Sequence, residues 1–587
     1  MSCDRYLLLC SGKSEQRDAH IAALIGRTGL HNVWETDRYV ALISEGMASI
    51  PFAGNDGLVI GELFHTHGPA TRIDQLTGDV GDTIVRTRGS HLVERFWGAY
   101  LAVFPAPDGL SILRCPLGAL PAYHMKSGHD HVFASDADLL ATAGFWKGGI
   151  DYSAFAQHLY WRDLPREATA LAGVNELLPG TAIILGTSGN QTEDFWNPWD
   201  HVRYRRDPRL DSDELRLRRL LMHTVSAWSS RYSAGLLGLS GGLDSSIVGA
   251  CLASANRRFR CLTMVTEDPR GDERSYAQTA ADSFGAELAQ AYYSLDDIDL
   301  DRAESEHLPR PSGSIDEHAY ARAVFRSLSG PVQTGAFFTG NGGDNCFYYS
   351  QSARPVLDRF LAEGSLSSAL ETARDVARLT GASLWAIGKE ARRVWRQYGR
   401  SYLWKPEPLY LHPDLIDALA DDGNHSWLCA PPDALPGKAA HIAMLLRTQN
   451  HLEGFDRSSG LSVINPLMSQ PLVEFCLSIP TSHMCAGGRD RAVARAAAAP
   501  LLPAEIVERR TKGSPDPFVA LIVRHFLPEI RARLLDGTLA SRHFFDLPAL
   551  ETALQATAQL SVRDYPKLMM LLDAEAWLNH WSGRFVK

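Results

Sequence analysis

Leu236-Leu237-Gly238-Leu239-Ser240-Gly241-Gly242-Leu243-Asp244-Ser245-Ser246 decides how the whole chain reads. Leu236 to Leu239 is a short apolar run of the kind that fills a buried parallel strand. Ser240-Gly241-Gly242 follows as a turn in which backbone N–H groups can approach a ligand with no Cβ in the way. Asp244-Ser245-Ser246 then opens an apolar helix that runs on from Ile247 to Ala253. A helix N-terminus with free N–H groups and two hydroxyls is an anion site. Asp244 beside it would repel phosphate unless a cation lay between them. The pattern therefore points to the pyrophosphate of ATP held with Mg²⁺. It is not a Walker A loop, because the Gly-Lys-Ser/Thr ending is missing. A glycine turn before an aspartate-capped helix is the plain alternative, and it explains a lone Ser-Gly-Gly better than it explains all seven residues after an apolar strand.

Arg260 to Thr266 reads as a second strand, so strand, helix and strand form a βαβ unit of a parallel sheet. Thr266 lies where the chain leaves that strand, on the side where such sheets bind ligands. Asp272-Glu273-Arg274-Ser275-Tyr276-Ala277 begins the next helix with acids in its first turn, suited equally to capping and to an ATP contact. Val332 to Thr339 reads as a further strand running into Gly340-Asn341-Gly342-Gly343-Asp344-Asn345. Thr339, Gly340 and the other glycines suit close backbone approach to phosphate. Asp344 is the expected second Mg²⁺ ligand opposite Asp244, since this ion is held by one or two carboxylates plus phosphate oxygens. The remainder reads as largely helical: Leu357 to Leu379, Leu384 to Tyr398, Lys438 to Leu452, Gln470 to Leu477 and Arg489 to Ala499.

At 587 residues the chain is too long for one core. Its 45% hydrophobic and 21% charged composition is that of an ordinary globular protein. A net charge of −10 argues against a nucleic-acid binder. Nine cysteines occur singly, without zinc spacing, which suits reduced thiols and a cytoplasmic enzyme. No stretch approaches the roughly 20 apolar residues of a membrane span. Tyr6 to Cys10 reads as a first strand rather than a signal core.

Residues 1–200 read as an α+β layer domain of short strands, among them Val40 to Ile43, Gly57 to Phe64, Ala99 to Phe104 and Leu110 to Leu113. Helices are expected at Glu15 to Ile25 and Ser153 to Tyr160. A linker is expected at about residues 198 to 210, with Trp196 and Trp199 as an aromatic plug between domains. Residues 201–587 form the α/β domain.

Several motifs carry family resemblances. Ser240 to Ser246 resembles the pyrophosphate loop of the N-type ATP pyrophosphatases, which split ATP into AMP and pyrophosphate. In the front half, Gly61-Glu62-Leu63-Phe64, Trp97-Gly98-Ala99-Tyr100, Arg114-Cys115-Pro116-Leu117-Gly118, Phe133-Ala134-Ser135-Asp136 and Leu178-Pro179-Gly180 come in order. Together they resemble the glutamine amidotransferase domain of the asparagine synthetases, an Ntn-type β-sandwich. That family uses a Cys exposed as the first residue, whose free amine helps activate its thiol. This chain begins Met1-Ser2-Cys3, its family Asn is Ile60, and its family Asp is Cys115. The departures imply a retained fold without glutaminase activity, with Ser2 or Cys3 as an atypical nucleophile the alternative.

In the back half, the loop at 340–345 resembles the second ATP motif of the asparagine synthetase-like enzymes. The equivalent of Asn341 is Glu in asparagine synthetases and Tyr in β-lactam synthetase; neutral Asn341 followed by Asp344-Asn345-Cys346-Phe347 resembles the lasso-peptide cyclases. Asp456-Arg457 and Gly460 to Leu467 match a family segment whose acid and Arg are here Ser462 and Ile464, as a peptide substrate would allow. Lys512, in Arg509-Arg510-Thr511-Lys512, matches the family lysine that contacts the acyl-adenylate; a fixed ammonium there offsets charge building on phosphorus oxygens.

The resemblance implies a lasso-peptide macrocyclase using ATP and Mg²⁺. Asp244 and Asp344 would be metal ligands, with Leu239, Ser240, Gly241, Gly242, Ser245, Ser246, Thr266, Thr339 and Gly340 around the nucleotide. Lys512 and Asn341 would be catalytic. Implied partners are a precursor peptide, a leader peptidase and a leader-recognition protein. The alternatives are an asparagine synthetase-like amide ligase, a β-lactam synthetase-like cyclase and a degenerate ATP-binding scaffold.

Overall fold

The structure is a computed structural model. It describes residues 4–13, 15–54, 56–118, 120–187, 189–203, 212–266, 268, 271–328, 335–399, 401–408, 410–419, 423–453, 461–510, 513, 516–555 and 564–584.

The front half holds two six-stranded sheets. The first runs Asn175–Glu176, Tyr123–Ser127, Asp130–Ala134, Tyr6–Cys10, Tyr39–Ile43, His31–Glu35. The second runs Gly189–Asp194, Thr181–Gly186, Gly109–Arg114, Phe96–Ala106, Leu58–His65, Ser49–Pro51. Among the described residues their strands pair antiparallel throughout. The two-residue period of a strand explains the apolar run at Tyr6–Cys10. Tyr6 and Leu8 face the second sheet, meeting Leu58, Ile60, Leu101, Val103 and Ile112 in the sandwich core. Leu7 and Leu9 face the other way, into the core that takes Ile21 and Leu24 of the helix Glu15–Thr28.

The back half is built on a five-stranded sheet in the order Leu288–Tyr292, Arg258–Val265, Ala234–Gly238, Ala336–Phe338, Ser462–Ile464, parallel throughout. Leu236 and Phe337 bury one face against Val324 and Leu328. Leu237 and Phe338 bury the other, in the core that also holds Ile247 and Val248. A parallel sheet covered on both faces is why these strands read as continuous apolar runs.

The sequence reading differs from the structure in places. The helix expected over Leu357 to Leu379 is two helices, Arg354–Glu363 and Leu366–Thr380. Gly364 ends the first in a left-handed conformation, φ 65°, and the Ser365 side chain caps the second by accepting from Ser368 N–H. Leu288–Tyr292 and Ser462–Ile464, the two edge strands, are strands that the pattern does not single out. The strand expected over Val332 to Thr339 is Ala336–Phe338; residues 332–334 lie outside the described residues, as do 204–210 of the expected linker.

Between the halves, buried polar groups interlock. Arg310 donates to Glu176 (2.6 Å), Glu453 (2.9 Å) and the Tyr123 hydroxyl (3.1 Å). Arg114 donates to Glu176 at 2.7 Å, and Tyr123 donates to Glu453 at 2.7 Å. Trp196 donates to Glu474 and Trp199 to the carbonyl of Trp427, so the tryptophan pair is wedged between the halves.

Candidate active site

The glycine turn leaves the end of the strand Ala234–Gly238 and feeds the helix Leu243–Ser254. Gly241 sits at φ 64°, and a Cβ there would lie 2.4 Å from the backbone of Tyr276, so only glycine fits. The second loop follows the neighbouring strand and folds onto the first. A Cβ on Gly340 would meet the Ser245 backbone nitrogen at 2.6 Å, and one on Gly343 would meet Asp244 Cγ at 2.4 Å. The glycines of one loop thus give room to the carboxylate of the other.

Asp244 and Asp344 converge on one atom. Arg491 Nη1 lies 2.9 Å from an Asp244 oxygen and 2.5 Å from an Asp344 oxygen. Burial works against the Arg491 charge, but Asp244, Asp344 and Asp490 outweigh it and hold the guanidinium above its ordinary range. Asp490 pairs with Arg491 and Arg495, both at 2.8 Å; burial pushes its carboxyl up, but the two guanidiniums hold it below the usual carboxylate range.

A second ion pair ties in the C-terminal segment. Arg509 donates to Glu273 at 2.7 Å and to the carbonyl of Ser240 at 3.2 Å, with its guanidinium 3.9 Å from the Tyr276 ring centre. Gly513 N–H donates to the same Glu273 oxygen at 3.0 Å. The Glu273 side chain therefore neither caps its helix nor faces solvent alone; it binds Arg509 and Gly513 beside the glycine turn. Asp272 instead pairs locally with Arg274. Lys512 itself lies outside the described residues.

These elements enclose a cleft of about 530 Å³ at the carboxyl ends of the strands. Leu239, Ser240, Gly242, Asp244, Ser245, Thr266, Thr339, Gly340, Asn341 and Asp344 all line it. Gly241 and Ser246 do not; Ser246 is fully buried beneath the loop. Thr339 donates to Asn465 at 2.5 Å and accepts from Asn341 N–H at 3.0 Å, which fixes the backbone at Asn341. Arg491 and the Glu273–Arg509 pair escaped the sequence reading. Arg491 lies within the run 489–499 read there as helix, whereas the helix is Ala492–Ala498 and Arg491 precedes it at φ 49°.

Ser462 and Ile464 are placed elsewhere than the substrate argument expected. They line a separate cavity of about 50 Å³ with Asp4, Glu62 and Arg231. Arg231 bonds Asp4 (2.7 Å) and Glu62 (2.9 Å) there, and Ser462 donates to Asp4 at 3.3 Å. The lost charges at 462 and 464 thus bear on the wall between the halves and not on the ATP cleft. Ile60 is fully buried in the sandwich core. Cys115 is buried, accepts from Tyr100 N–H at 3.3 Å, and burial pushes its thiol up. Ser2 and Cys3 lie outside the described residues.

The sequence pattern of the asparagine synthase family matches residues 216–581, well over half the chain. The chain belongs to this family. As a member it is an ATP-dependent, AMP-forming C–N ligase of the asparagine synthetase-like kind. Residues 81–196 match the glutamine amidotransferase domain, in keeping with the antiparallel sandwich of the front half. No curated protein matches the chain. Among the solved structures that resemble it are two at 10% identity. The allosteric regulatory enzyme of purine biosynthesis covers 51% of this chain and 82% of its own, with a TM-score of 0.22. Glutamine phosphoribosylpyrophosphate amidotransferase from B. subtilis covers 49% and 81%, with a TM-score of 0.21.

The family works with ATP, typically with Mg²⁺. The donor set fits that ion: two carboxylates reach a common point, a hard cation prefers oxygen, and its remaining positions go to phosphate and water. Among the described residues no group of three or more His, Cys, Asp or Glu could hold a metal. Among the same residues no helix is long and apolar enough to cross a membrane.

Proposed function

We propose that this asparagine synthase-family ligase is a lasso-peptide macrocyclase. The observation that supports a peptide over a free amino acid is the state of the cleft. A free aspartate would need counter-charges for its α-ammonium and α-carboxylate. Among the described residues, and apart from Arg510, the charged side chains of the cleft without nucleotide pair with one another: Asp244 and Asp344 with Arg491, Asp490 with Arg491 and Arg495, Glu273 with Arg509. The rest of the wall includes Asn341, Tyr293, Tyr320 and Tyr349. A peptide can be held along its length and needs no such charges at the reacting group.

In the first step an oxygen of an Asp or Glu side-chain carboxylate on the precursor peptide attacks the α-phosphorus of ATP, and pyrophosphate leaves. Ser240, Gly242 and Ser245, which line the cleft, would offer backbone N–H groups and hydroxyls to the leaving phosphates. Asp244 and Asp344 would hold Mg²⁺, which supplies charge neutralisation on the phosphate oxygens. Lys512 would stabilise charge on the α-phosphoryl oxygens. In the second step the peptide's N-terminal amine attacks the acyl carbon, AMP leaves, and the nitrogen loses a proton to give the macrolactam. Asn341 would orient the acyl oxygen. Positioning supplies most of the rate.

The front half is proposed to lack glutaminase activity, supported by the buried Ile60 and Cys115 and by the ion pairs of Arg231 that fill the wall beside Gly61. A leader peptidase would expose the amine, a leader-recognition protein would deliver the substrate, and the enzyme would work in the cytoplasm. Pyrophosphate release tests the reading. Release with a precursor peptide, accompanied by loss of one water from its mass, is expected. Release with aspartate and ammonia would replace it by an asparagine synthetase-like ligase.

A further inference from the structure

We propose that Arg491 is a latch on the metal carboxylates: it keeps free divalent cations out and yields the carboxylates only when nucleotide arrives. The inference rests on the ATP and metal reading of the cleft, and not on the identity of the peptide.

One guanidinium nitrogen lies within 3.1 Å of both Asp244 oxygens and 2.5 Å of Asp344. Mg²⁺ would need oxygens at about 2.0–2.1 Å, so an ion between these carboxylates would claim the lone pairs and the space that Nη1 now uses. Two cations cannot share that point in a partly buried setting. The arrangement is over-determined. Arg491 adopts φ 49° and ψ 38°, a left-handed conformation rare for a long side chain. Its Nε is held by Asp490 at 2.8 Å, and its guanidinium lies 5.2 Å from the Tyr349 ring centre. A free cation must therefore displace a guanidinium gripped by three carboxylates, with nothing to compensate it. A nucleotide brings phosphate oxygens into the same cleft, and these match a guanidinium fork as well as carboxylates do. Arg491 can then trade Asp244 and Asp344 for phosphate in the same event that fills the carboxylates with metal.

The test is Mn²⁺ binding, followed by electron paramagnetic resonance and calorimetry, with and without α,β-methylene-ATP, on wild type, Arg491→Gln and Arg491→Lys. Wild type is expected to bind Mn²⁺ at this site only with the nucleotide. Arg491→Gln is expected to gain affinity for Mn²⁺ alone by about tenfold or more and to lose a similar factor for the nucleotide complex. The gain should vanish when Asp244→Asn is added. Arg491→Lys keeps one charge without the fork, so it should still exclude the free ion while losing nucleotide affinity. A merely structural arginine would not produce this opposite pair of changes. Wild type binding Mn²⁺ alone as tightly as with nucleotide overturns the latch without any variant. Equal Mn²⁺ affinity in wild type and Arg491→Gln overturns it too. Failure of every form, wild type included, to bind the nucleotide with metal instead removes the ATP reading of the cleft.

Discussion

Gly343→Ala puts the contact between the two loops to a direct test. The added Cβ would stand 2.4 Å from Asp244 Cγ, 2.6 Å from its Cβ and 2.8 Å from an oxygen. Carbon pairs rest at about 3.5–4.0 Å, so the Asp244 side chain must retreat by about 1 Å. It cannot do so at its flexible end alone, because the nearest atoms are close to its own backbone. A 1 Å misplacement of a catalytic constellation costs about 10²-fold in rate, or about 2.7 kcal/mol of transition-state stabilisation. Overpacking typically lowers stability by about 1–3 kcal/mol. The assay is substrate-dependent pyrophosphate release, with nucleotide–metal affinity by calorimetry and Tm alongside. Gly388→Ala is the matched control, since an added Cβ there meets nothing within 4 Å. We expect kcat/KM to fall about 10²-fold in Gly343→Ala and to stay unchanged in the control. A folded Gly343→Ala enzyme within about threefold of wild type, or under 1 kcal/mol, would refute the idea that Asp244 must sit where this glycine lets it.

Other perturbations follow from the same geometry. Arg509→Met leaves the partly buried Glu273 carboxylate without its cation; a loss of about 1–3 kcal/mol is expected, and a double-mutant cycle with Glu273→Gln should show coupling, whereas simple additivity would deny the pair its role. Lys512→Ala should lower kcat by about 10²–10³-fold with little change in nucleotide affinity, and single-turnover measurement of adenylate formation checks it. Burial, with Glu317 and Asp573 adding, pushes the Glu304 carboxyl from 4.5 up to about 8. The folded form thus binds this proton more tightly than the unfolded chain, so the contribution is fully present below pH 4.5 and is lost as pH rises towards 8. Tm measured across that window should fall less steeply in Glu304→Gln than in wild type; an unchanged slope would count against it.

Both glycine loops could be read in advance because their chemistry is local. Ser240 to Ser246 and Gly340 to Asn345 carry strand, turn and helix start in consecutive residues, and period and turn chemistry suffice for that. The three central strands were legible for the same reason; the edge strands Leu288–Tyr292 and Ser462–Ile464 were not, the latter being three residues whose pairing with Ala336–Phe338 is set by distant partners. Arg491 was hidden because nothing local marks it: 247 residues separate it from Asp244, and only the fold joins them. Glu273 looked like a helix-start acid, as its position allows, while its actual partner lies 236 residues away. Ser462 and Ile464 misled in the opposite sense. A change of charge was visible, but the surface it faces was not, and that surface is the contact with the front half.

The interlock of Arg310 with Glu176, Glu453 and Tyr123 bears on why a front half without its ancestral chemistry would persist. Arg310 and Glu453 belong to the ligase half, and both are almost wholly enclosed. Excising residues 1–200 would leave this cation and anion facing water and would strip the Trp427 carbonyl of its bond from Trp199. The sandwich therefore behaves as a keystone for its neighbour. A truncated ligase half should be insoluble or misassembled unless that face is redesigned, and selection can discard the old nucleophile far more readily than the domain that carried it.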